Sequence, residues 1–220
     1  MRLLCISDVH GELAALRAVL ATAERRGYHK VLVAGDLCFP GPEPLETWRA
    51  LARAQAICVQ GVTDKALATI DPARLEEAAV DAANRAMARR FLDARRAVGE
   101  LVLERLRRMP THHRMPLEDG SELLLVHGSP DDPTEPMTHD LDDEELSVLI
   151  GDDPADIVVC GMSHTPFVRE IAGVRIVNVG SVGDAPGGGV AHATFVETST
   201  SGVTIEQFVV PLDDAIALGM

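Results

Sequence analysis

The sequence predicts an α/β fold, built as one domain over residues 1–220 and completed by β-hairpins. Short apolar runs recur along the 220 residues, and each ends in a polar or glycine-containing turn. The first five runs are almost unbroken, which is typical of strands buried on both faces of a sheet. Helical patterns separate the early runs, whereas the late runs follow one another directly, so hairpins follow an α/β core.

Eight apolar runs are the predicted strands, and leucine and β-branched side chains dominate them. Each is short enough for a strand of a compact domain. In chain order they are Leu3–Ile6, Val31–Ala34, Ile57–Val59, Leu123–Val126, Ile157–Cys160, Val174–Val177, Ala191–Val196 and Val203–Val210.

Helical patterns occupy four stretches between the strands. In the first, Glu12–Arg26, leucines recur at spacings of three and four residues, and Glu43–Ala54 has a proline in its permitted first turn. An Ala/Arg/Glu-rich stretch over residues 71–108 predicts two helices that are broken around Gly99. Acidic residues crowd the start of the last helix, Asp140–Ile150, where the helix dipole favours them.

Composition limits the partners of this chain. It has 34 acidic against 20 basic residues, a formal net charge of -14, and only 3% aromatic residues. Such a surface repels phosphate backbones and anionic lipids, and it offers no stacking platform for bases. We therefore expect no extended nucleic-acid surface and no membrane contact, and the oligomeric state stays open, a homo-oligomer included.

The cysteines and the start of the chain indicate a cytoplasmic location. None of the four cysteines forms a C-x-x-C pair, which favours free thiols in a reducing compartment. An aspartate at position 8 interrupts any signal-peptide core, and no apolar stretch approaches the roughly 18 residues of a membrane span.

Polar residues follow most of the predicted strands, at the edge where an open α/β sheet binds its ligands. Taken singly, each is most simply a turn former, a helix cap or a satisfied polar residue. Their joint occurrence at successive strand ends is what indicates a site, and a mixed Asp/His set without cysteine suits Mn, Fe or Zn. These residues are Asp8, His10, Asp36, Asp64, His127, His164, Asn178 and Ser181.

Six short motifs resemble those of the calcineurin-like metallophosphoesterases, and in particular the small bacterial and archaeal phosphodiesterases of the YfcE type. The resemblance covers residues 1 to about 211, and it implies a four-layer αββα sandwich of two mostly mixed β-sheets flanked by helices, with metal at the sheet rim. In order, the motifs are Asp8-Val9-His10-Gly11, Gly35-Asp36, Gly61-x-x-Asp64, Val126-His127-Gly128-Ser129-Pro130, Gly161-x-x-His164 and Asn178-x-Gly180-Ser181-Val182-Gly183.

The resemblance implies one divalent cation with an intact ligand set: Asp8, His10, Asp36 and His164. It also implies a second cation that shares Asp36 and is bound by His127. At this second site the sequence departs from the family, because Val62 stands where the family has asparagine and Met162 where it has histidine. Valine cannot ligate and a thioether is a poor ligand for hard cations, so we expect one firmly bound metal and a second that is weak or absent.

The resemblance implies hydrolysis of a small phosphorylated substrate, a phosphodiester or a nucleotide, by metal-activated water. With the second metal lost, His127 is free to bind phosphate or protonate the leaving group, and Asp64 either orients it or turns toward the second metal. Asn178 and Ser181 belong to a glycine-rich turn that is expected to meet the anion, a plain tight turn being the alternative.

Two other functional classes stay open. The changes at Val62 and Met162 also suit a phosphoesterase-like module that binds a partner without catalysis. A metal-dependent hydrolase of a non-phosphate substrate is the third class. Other chemistries lack their motifs: the chain has no G-x-S-x-G, no G-x-x-x-x-G-K-[ST] and no G-x-G-x-x-G.

Overall fold

The computed structural model describes residues 1–152 and 155–212. The predicted domain of residues 1–220 thus includes a few positions outside the described residues. The strands are β1 (Arg2–Ile6), β2 (Lys30–Val33), β3 (Ile57–Cys58), β4 (His112–Pro116), β5 (Glu122–Val126), β6 (Ile157–Cys160), β7 (Phe167–Ile171), β8 (Val174–Asn178), β9 (Val190–Ser199) and β10 (Gly202–Pro211). The helices are α1 (Leu13–Arg26), α2 (Pro44–Arg53), α3 (Val62–Thr69), α4 (Pro72–Ala78), α5 (Arg85–Arg107) and α6 (Asp143–Ile150).

The strands form two mixed sheets of five strands each. The first has the order β10-β9-β1-β2-β3, with β1, β2 and β3 parallel and β9 and β10 antiparallel. The second has the order β4-β5-β6-β8-β7, with a parallel centre of β5, β6 and β8 between two antiparallel edge strands. The predicted α/β class and its mixed sheets are confirmed.

Alternate residues of the central strands face two different apolar layers. In β1, Leu3 and Cys5 lie in the cluster between the sheets, together with Leu125 of β5. Leu4 and Ile6 point the other way, into the cluster beneath α1, α2, α3 and α5. Full burial of one such leucine contributes about 2 kcal/mol. A third cluster packs α6 on the outer face of the second sheet, which completes the four layers αββα.

Three elements were not predicted from the sequence. The edge strand β4 contains two histidines and an arginine, and β7 alternates half-buried and exposed residues, so neither shows an apolar run. The short helix α3 also escaped prediction. The predicted break at Gly99 is confirmed, because its backbone is non-helical (φ 74°) and kinks α5, but a second break in residues 71–108, between α4 and α5, was not predicted.

The remaining local expectations concern the cysteines and the membrane. All four cysteines are unpaired. Among residues 1–152 and 155–212, no helix combines the length and apolarity that crossing a bilayer requires.

Candidate metal centre

The loops after β1, β2 and β6 bring the predicted ligands together in a left-handed backbone conformation. Asp and His tolerate this conformation better than most side chains, but it still costs energy that the surroundings must offset. The loops after β1 and β2 hold each other: the N–H of Asp8 donates to the Gly35 carbonyl at 3.1 Å, and that of His10 to the Asp36 carbonyl at 2.8 Å. The φ angles are 52° at Asp8, 54° at His10, 55° at Asp36 and 59° at His164.

Two glycines allow the loops to approach the carboxylates closely. A Cβ on Gly61 would lie 2.1 Å from Oδ1 of Asp36, and one on Gly161 would lie 2.5 Å from Oδ2 of Asp8. Both positions therefore exclude any side chain. The motifs Gly61-x-x-Asp64 and Gly161-x-x-His164 therefore begin with glycine because a larger residue would collide with a carboxylate of the site.

The first group of candidate ligands is Asp8, His10 and His164, whose ligand atoms all lie within 4.8 Å of one another. Nδ1 of His10 donates to the carbonyl of Phe39 at 2.6 Å, and Nδ1 of His164 faces the carboxylate of Asp184 at 3.3 Å. With the proton held on Nδ1, each ring turns its Nε2 lone pair inward, and the two Nε2 atoms lie 3.2 Å apart. Two facing lone pairs repel unless a cation lies between them.

The second group is Asp8, Asp36 and His127. Nδ1 of His127 donates to the carbonyl of Ala34 at 2.6 Å, while its Nε2 lies 3.6 Å from Oδ1 of Asp36. Oδ1 of Asp36 also accepts from the N–H of Thr63 at 2.8 Å. Nε2 of His127 and Oδ1 of Asp8 are buried without a hydrogen-bond partner among the described residues. Orphaned buried atoms of this kind are costly, and a bound cation would satisfy both.

The two groups share Asp8. The resemblance places Asp36 in both sites; the distances group it with His127 and Asp8, and its part in the first site stays a prediction. The second half of the centre therefore keeps three candidate protein ligands, one more than the sequence indicated. All five predicted metal ligands lie in this one centre.

Neither substituted position supplies a polar side chain. Val62 opens α3 with 37% of its surface exposed, and Met162 is half-buried with a left-handed backbone (φ 66°). The N–H of Met162 nevertheless donates to Oδ2 of Asp8 at 2.9 Å. The main chain at this position therefore still holds the shared carboxylate.

Charge coupling across the centre shifts its pKa values. Burial alone would lower the pKa of His127, but the carboxylates of Asp36 and Asp8 outweigh it and raise that pKa. Burial likewise opposes ionisation of Asp8, but contacts with His164 and His127 lower its pKa. The contact with Asp8 raises the pKa of His164. The carboxylates thus favour the protonated forms of His127 and His164.

Asp64 lies at the start of α3 and is completely buried. Its Oδ1 accepts from the N–H of Leu37 at 3.0 Å and its Oδ2 from the N–H of Gly61 at 3.1 Å. Burial, followed by the charge of Asp36, raises the pKa of Asp64 to about 6 against the effect of these two bonds. The hydrogen bonds of Asp64 among the described residues thus join α3 to the loop after β2.

Asn178 and Ser181 are also completely buried and bonded within the protein. The amide of Asn178 donates to the Gly161 carbonyl at 2.7 Å and accepts from the Gly180 N–H at 3.0 Å. The hydroxyl of Ser181 donates to the carbonyl of Asp8 at 2.9 Å. Both side chains hold loops of the centre, and their direct contact with a substrate stays a prediction.

His192 of β9 is a neighbour of the centre that the sequence did not single out. Its Nδ1 is buried without a partner among the described residues, and a Cβ on Gly180 would lie 2.6 Å from it. Burial lowers the pKa of His192, an effect that the carbonyl of His164 opposes. The available signal was a histidine inside the apolar run of β9.

Three solved structures share this fold. A hypothetical protein of Pyrococcus horikoshii OT3, PH1004, aligns with a TM-score of 0.79 over 99% of this chain and 92% of its own, at 19% identity. A metallophosphoesterase from Sphaerobacter thermophilus aligns with 0.74 over 99% and 91%, at 24% identity. YfcE, a phosphoesterase from E. coli, aligns with 0.53 over 96% and 100%, at 20% identity.

These identities establish the fold alone, and family membership rests on the sequence. A family model of the calcineurin-like phosphoesterase superfamily domain matches residues 1–201. The match confirms the resemblance found in the motifs and supports a metal-dependent phosphoesterase in general terms, with two groups of side chains suited to divalent cations. The chain belongs to the calcineurin-like phosphoesterase superfamily.

Proposed function

We propose that this protein hydrolyses phosphodiesters or small nucleotides with the help of a divalent cation. The observation that carries the proposal is a pair of buried atoms without hydrogen-bond partners among the described residues, Oδ1 of Asp8 and Nε2 of His127, which belong to the same group of candidate ligands. A scaffold has no physical need for such atoms, because each raises the free energy of the folded state unless it is satisfied.

The donor chemistry fits a cation of the Mn, Fe or Zn type, since carboxylate oxygens and imidazole nitrogens are its usual ligands. Asp8, His10 and His164 would hold one ion, and Asp8, Asp36 and His127 remain for a weaker second one. A bound cation supplies a Lewis acid that polarises a phosphoryl oxygen and lowers the pKa of water.

The residues around the ligands fix their direction. The Phe39 carbonyl and the Asp184 carboxylate keep the protons of His10 and His164 on Nδ1, and the Ala34 carbonyl does the same for His127. Such partners orient a ligand before the cation arrives, which raises affinity.

His127 has a second proposed role besides metal binding. When it does not bind a cation, its Nε2 is the group placed to bind a phosphoryl oxygen or to hand a proton to the leaving alcohol. Asp64 is assigned a positioning role, because it ties the start of α3 to the loop that carries Asp36. Asn178 and Ser181 position the loops of Asp8 and His164 in the same way.

The second candidate function is a non-catalytic binding module, and the substitutions Val62 and Met162 are what favour it. Hydrolysis of bis(p-nitrophenyl) phosphate with added Mn²⁺ separates the two functions. Asp8→Asn keeps the shape of the side chain but removes the negative charge that both ligand groups share. Activity should fall by more than about 100-fold, because changing a residue that only orients a metal ligand already costs up to about that much.

Asp93→Asn is the matched control, because Asp93 is a solvent-exposed carboxylate on α5. It should keep wild-type activity. Equal inactivity of the wild type and Asp8→Asn would instead favour the binding module.

A further inference from the structure

The strand β10 forms one edge of the first sheet. Its 10 residues pair with β9 in one continuous register without a bulge. Five of them have exposed side chains, among them Glu206, Gln207 and Val209. An open edge of this length presents a row of backbone N–H and C=O groups that can pair with a further strand.

This edge lacks the features that usually keep an edge strand from pairing further, such as lysines, prolines, bulges and short length. It contains no lysine, and its one proline, Pro211, is its last residue. Its one charged residue, Glu206, is paired with Nη2 of Arg26 at 2.5 Å. The other sheet edges are shorter, because β3 has 2 residues and β4 and β7 have 5 each. The edge of β10 is therefore the one most open to a partner strand.

The backbone groups that β10 directs outward can be identified from two hydrogen bonds. The N–H of Leu212, the residue after β10, donates to the carbonyl of Gly189, just before β9, at 2.9 Å. Because successive residues of a strand direct their backbone groups to opposite sides, even-numbered residues of β10 face β9 and odd-numbered ones face outward. In agreement, Nη1 of Arg175 in the second sheet reaches the carbonyl of Val203 at 3.1 Å. The outward residues are Val203, Ile205, Gln207, Val209 and Pro211.

The two ends of this outward row differ from its middle. Pro211 has no N–H, so it offers an acceptor alone. The carbonyl of Val203 already has a donor, Nη1 of Arg175. Among residues 1–152 and 155–212, no acceptor is found for the N–H groups of Val203, Ile205, Gln207 and Val209. A strand that fits this edge therefore needs no donor opposite Val203 and no acceptor opposite Pro211.

A second copy of β10 meets both conditions in one antiparallel register. When Gln207 lies opposite Gln207 of the partner subunit, Val203 lies opposite the partner's Pro211. The donor that proline lacks then falls at the carbonyl that needs none, and the N–H of Val203 reaches the proline carbonyl. Ile205 lies opposite the partner's Val209 in this register, so the remaining outward N–H groups of both strands also find carbonyl acceptors.

The neighbouring registers fit less well. A register centred on Glu206 puts this carboxylate directly opposite its own copy, and like charges in that position are destabilising. A register centred on Phe208 places Val203 beyond the end of the other β10. The register centred on Gln207 avoids both faults, and it brings Val209, which is 55% exposed, beside the half-buried Ile205 of the other strand. Such apolar cross-strand pairs stabilise a sheet.

We propose that this protein forms a two-fold symmetric dimer in which β10 pairs antiparallel with β10 of a second copy, centred on Gln207. The pairing joins the first sheets of both subunits into one continuous sheet. The interface is isologous, because the same strand serves both subunits. The proposal does not depend on the proposed function, since none of the candidate metal ligands lies on β10.

The first test is the oligomeric state in solution, measured by sedimentation equilibrium over a range of concentrations. Val209→Pro removes an outward N–H but no bond to β9, and proline is tolerated at such edge positions. The dissociation constant of the dimer should rise at least about tenfold, because the Val209 N–H of both strands is lost. Val209→Thr keeps the N–H and should dimerise like the wild type. A monomeric wild type, or a folded Val209→Pro that dimerises as tightly as the wild type, would overturn the proposal.

The second test examines the register and does not depend on a proline. Gln207→Cys places a thiol opposite its own copy, at the Cα separation of about 5.5 Å that suits a disulfide. Thr204→Cys, the control, places its thiol opposite the partner's Val210. With Cu²⁺-phenanthroline and O₂ as oxidant, Gln207→Cys should form a disulfide-linked dimer and Thr204→Cys should not, each relative to the wild type with its four free cysteines. Equal cross-linking of the two variants, or none above the wild type in Gln207→Cys, would overturn the proposal.

Discussion

The backbone N–H of Met162 donates to Oδ2 of Asp8 at 2.9 Å, so the residue that replaces a family histidine still contacts the shared carboxylate. The substitution removes a side-chain ligand without removing the main-chain bond that positions Asp8. The other oxygen, Oδ1, has no hydrogen-bond partner among the described residues, but Nε2 of His164 lies 3.2 Å from it, within ion-pair distance. The group of Asp8, His10 and His164 thus keeps its side chains, and we expect the loss to affect the group of Asp36 and His127.

The first prediction concerns the number of metal ions. Both groups contain Asp8, but only the group of Asp36 and His127 adjoins the positions Val62 and Met162, where the resemblance implies side-chain ligands that this sequence lacks. We expect one tightly bound ion per chain after dialysis, counted by elemental analysis, with anomalous scattering to place it. Two tightly bound ions would show that Val62 and Met162 leave the second site functional.

The second prediction concerns Asp184, which faces Nδ1 of His164 at 3.3 Å from a largely exposed position. Asp184→Asn removes the charge that favours the proton on Nδ1. We expect metal affinity to fall about tenfold, the lower end of the range for such partners, with little change in the unfolding temperature. Calorimetric titration with Mn²⁺ measures this, and Asp119→Asn, in an exposed turn, is the control. Equal affinity in both variants would refute an orienting role for Asp184.

The third prediction uses the close approach of Gly61 to Asp36. Gly61 has an ordinary φ of -91°, so Gly61→Ala leaves its own φ unstrained but places a methyl group 2.1 Å from Oδ1 and 2.2 Å from the backbone nitrogen of Asp36. We expect a loss of metal affinity and of about 1–3 kcal/mol of stability, as for other overpacked sites. Gly173→Ala tests the opposite case, because Gly173 has a φ of 84° and open space around it. It should lose stability but keep its metal affinity.

Most of the fold was predictable because the central strands are continuous apolar runs with polar residues at their ends. The missing strands β4 and β7 lie at sheet edges, where one side is open and an apolar run is not required. Helix α3 has a local cap, because Asp64 binds the N–H of Gly61, but its position also depends on the bond from Asp64 to the N–H of Leu37, which is distant in sequence. Local pattern does not contain such a contact.

The sequence was sufficient to name the residues of the candidate site, but not to tell which of them lie together in each ligand group. Strand order and the αββα layers place both sheets' strand ends at one rim, which the motif order implied. The sharing of Asp8 between two ligand groups depends on distances of a few ångströms between loops. His192 likewise reaches the centre from a segment far away in sequence, and only its polar side chain within an apolar run marks it.

The fourth prediction is a dependence of stability on pH through Asp64. Its pKa is raised from 3.8 to about 6 in the folded protein, so between these values the folded state holds a proton that the unfolded state has released. Stability from this group is therefore present at low pH and is lost as the pH rises toward 6, by up to about 3 kcal/mol. Chemical unfolding with a chelator present, wild type against Asp64→Asn at pH 4–7, measures the difference. A difference independent of pH would contradict it.

The last prediction reverses the departure from the family. Val62→Asn with Met162→His should add two ligands to Asp8, Asp36 and His127, because Val62 is 37% exposed and Met162 half-buried, so neither is enclosed in the core. Residues that act as one unit are non-additive, so each single change should gain less than half of the double mutant's effect. We expect a second ion per chain and higher phosphodiesterase activity with Mn²⁺. A folded double mutant with one ion and unchanged activity would show that residues other than Val62 and Met162 make this site differ from that of the family.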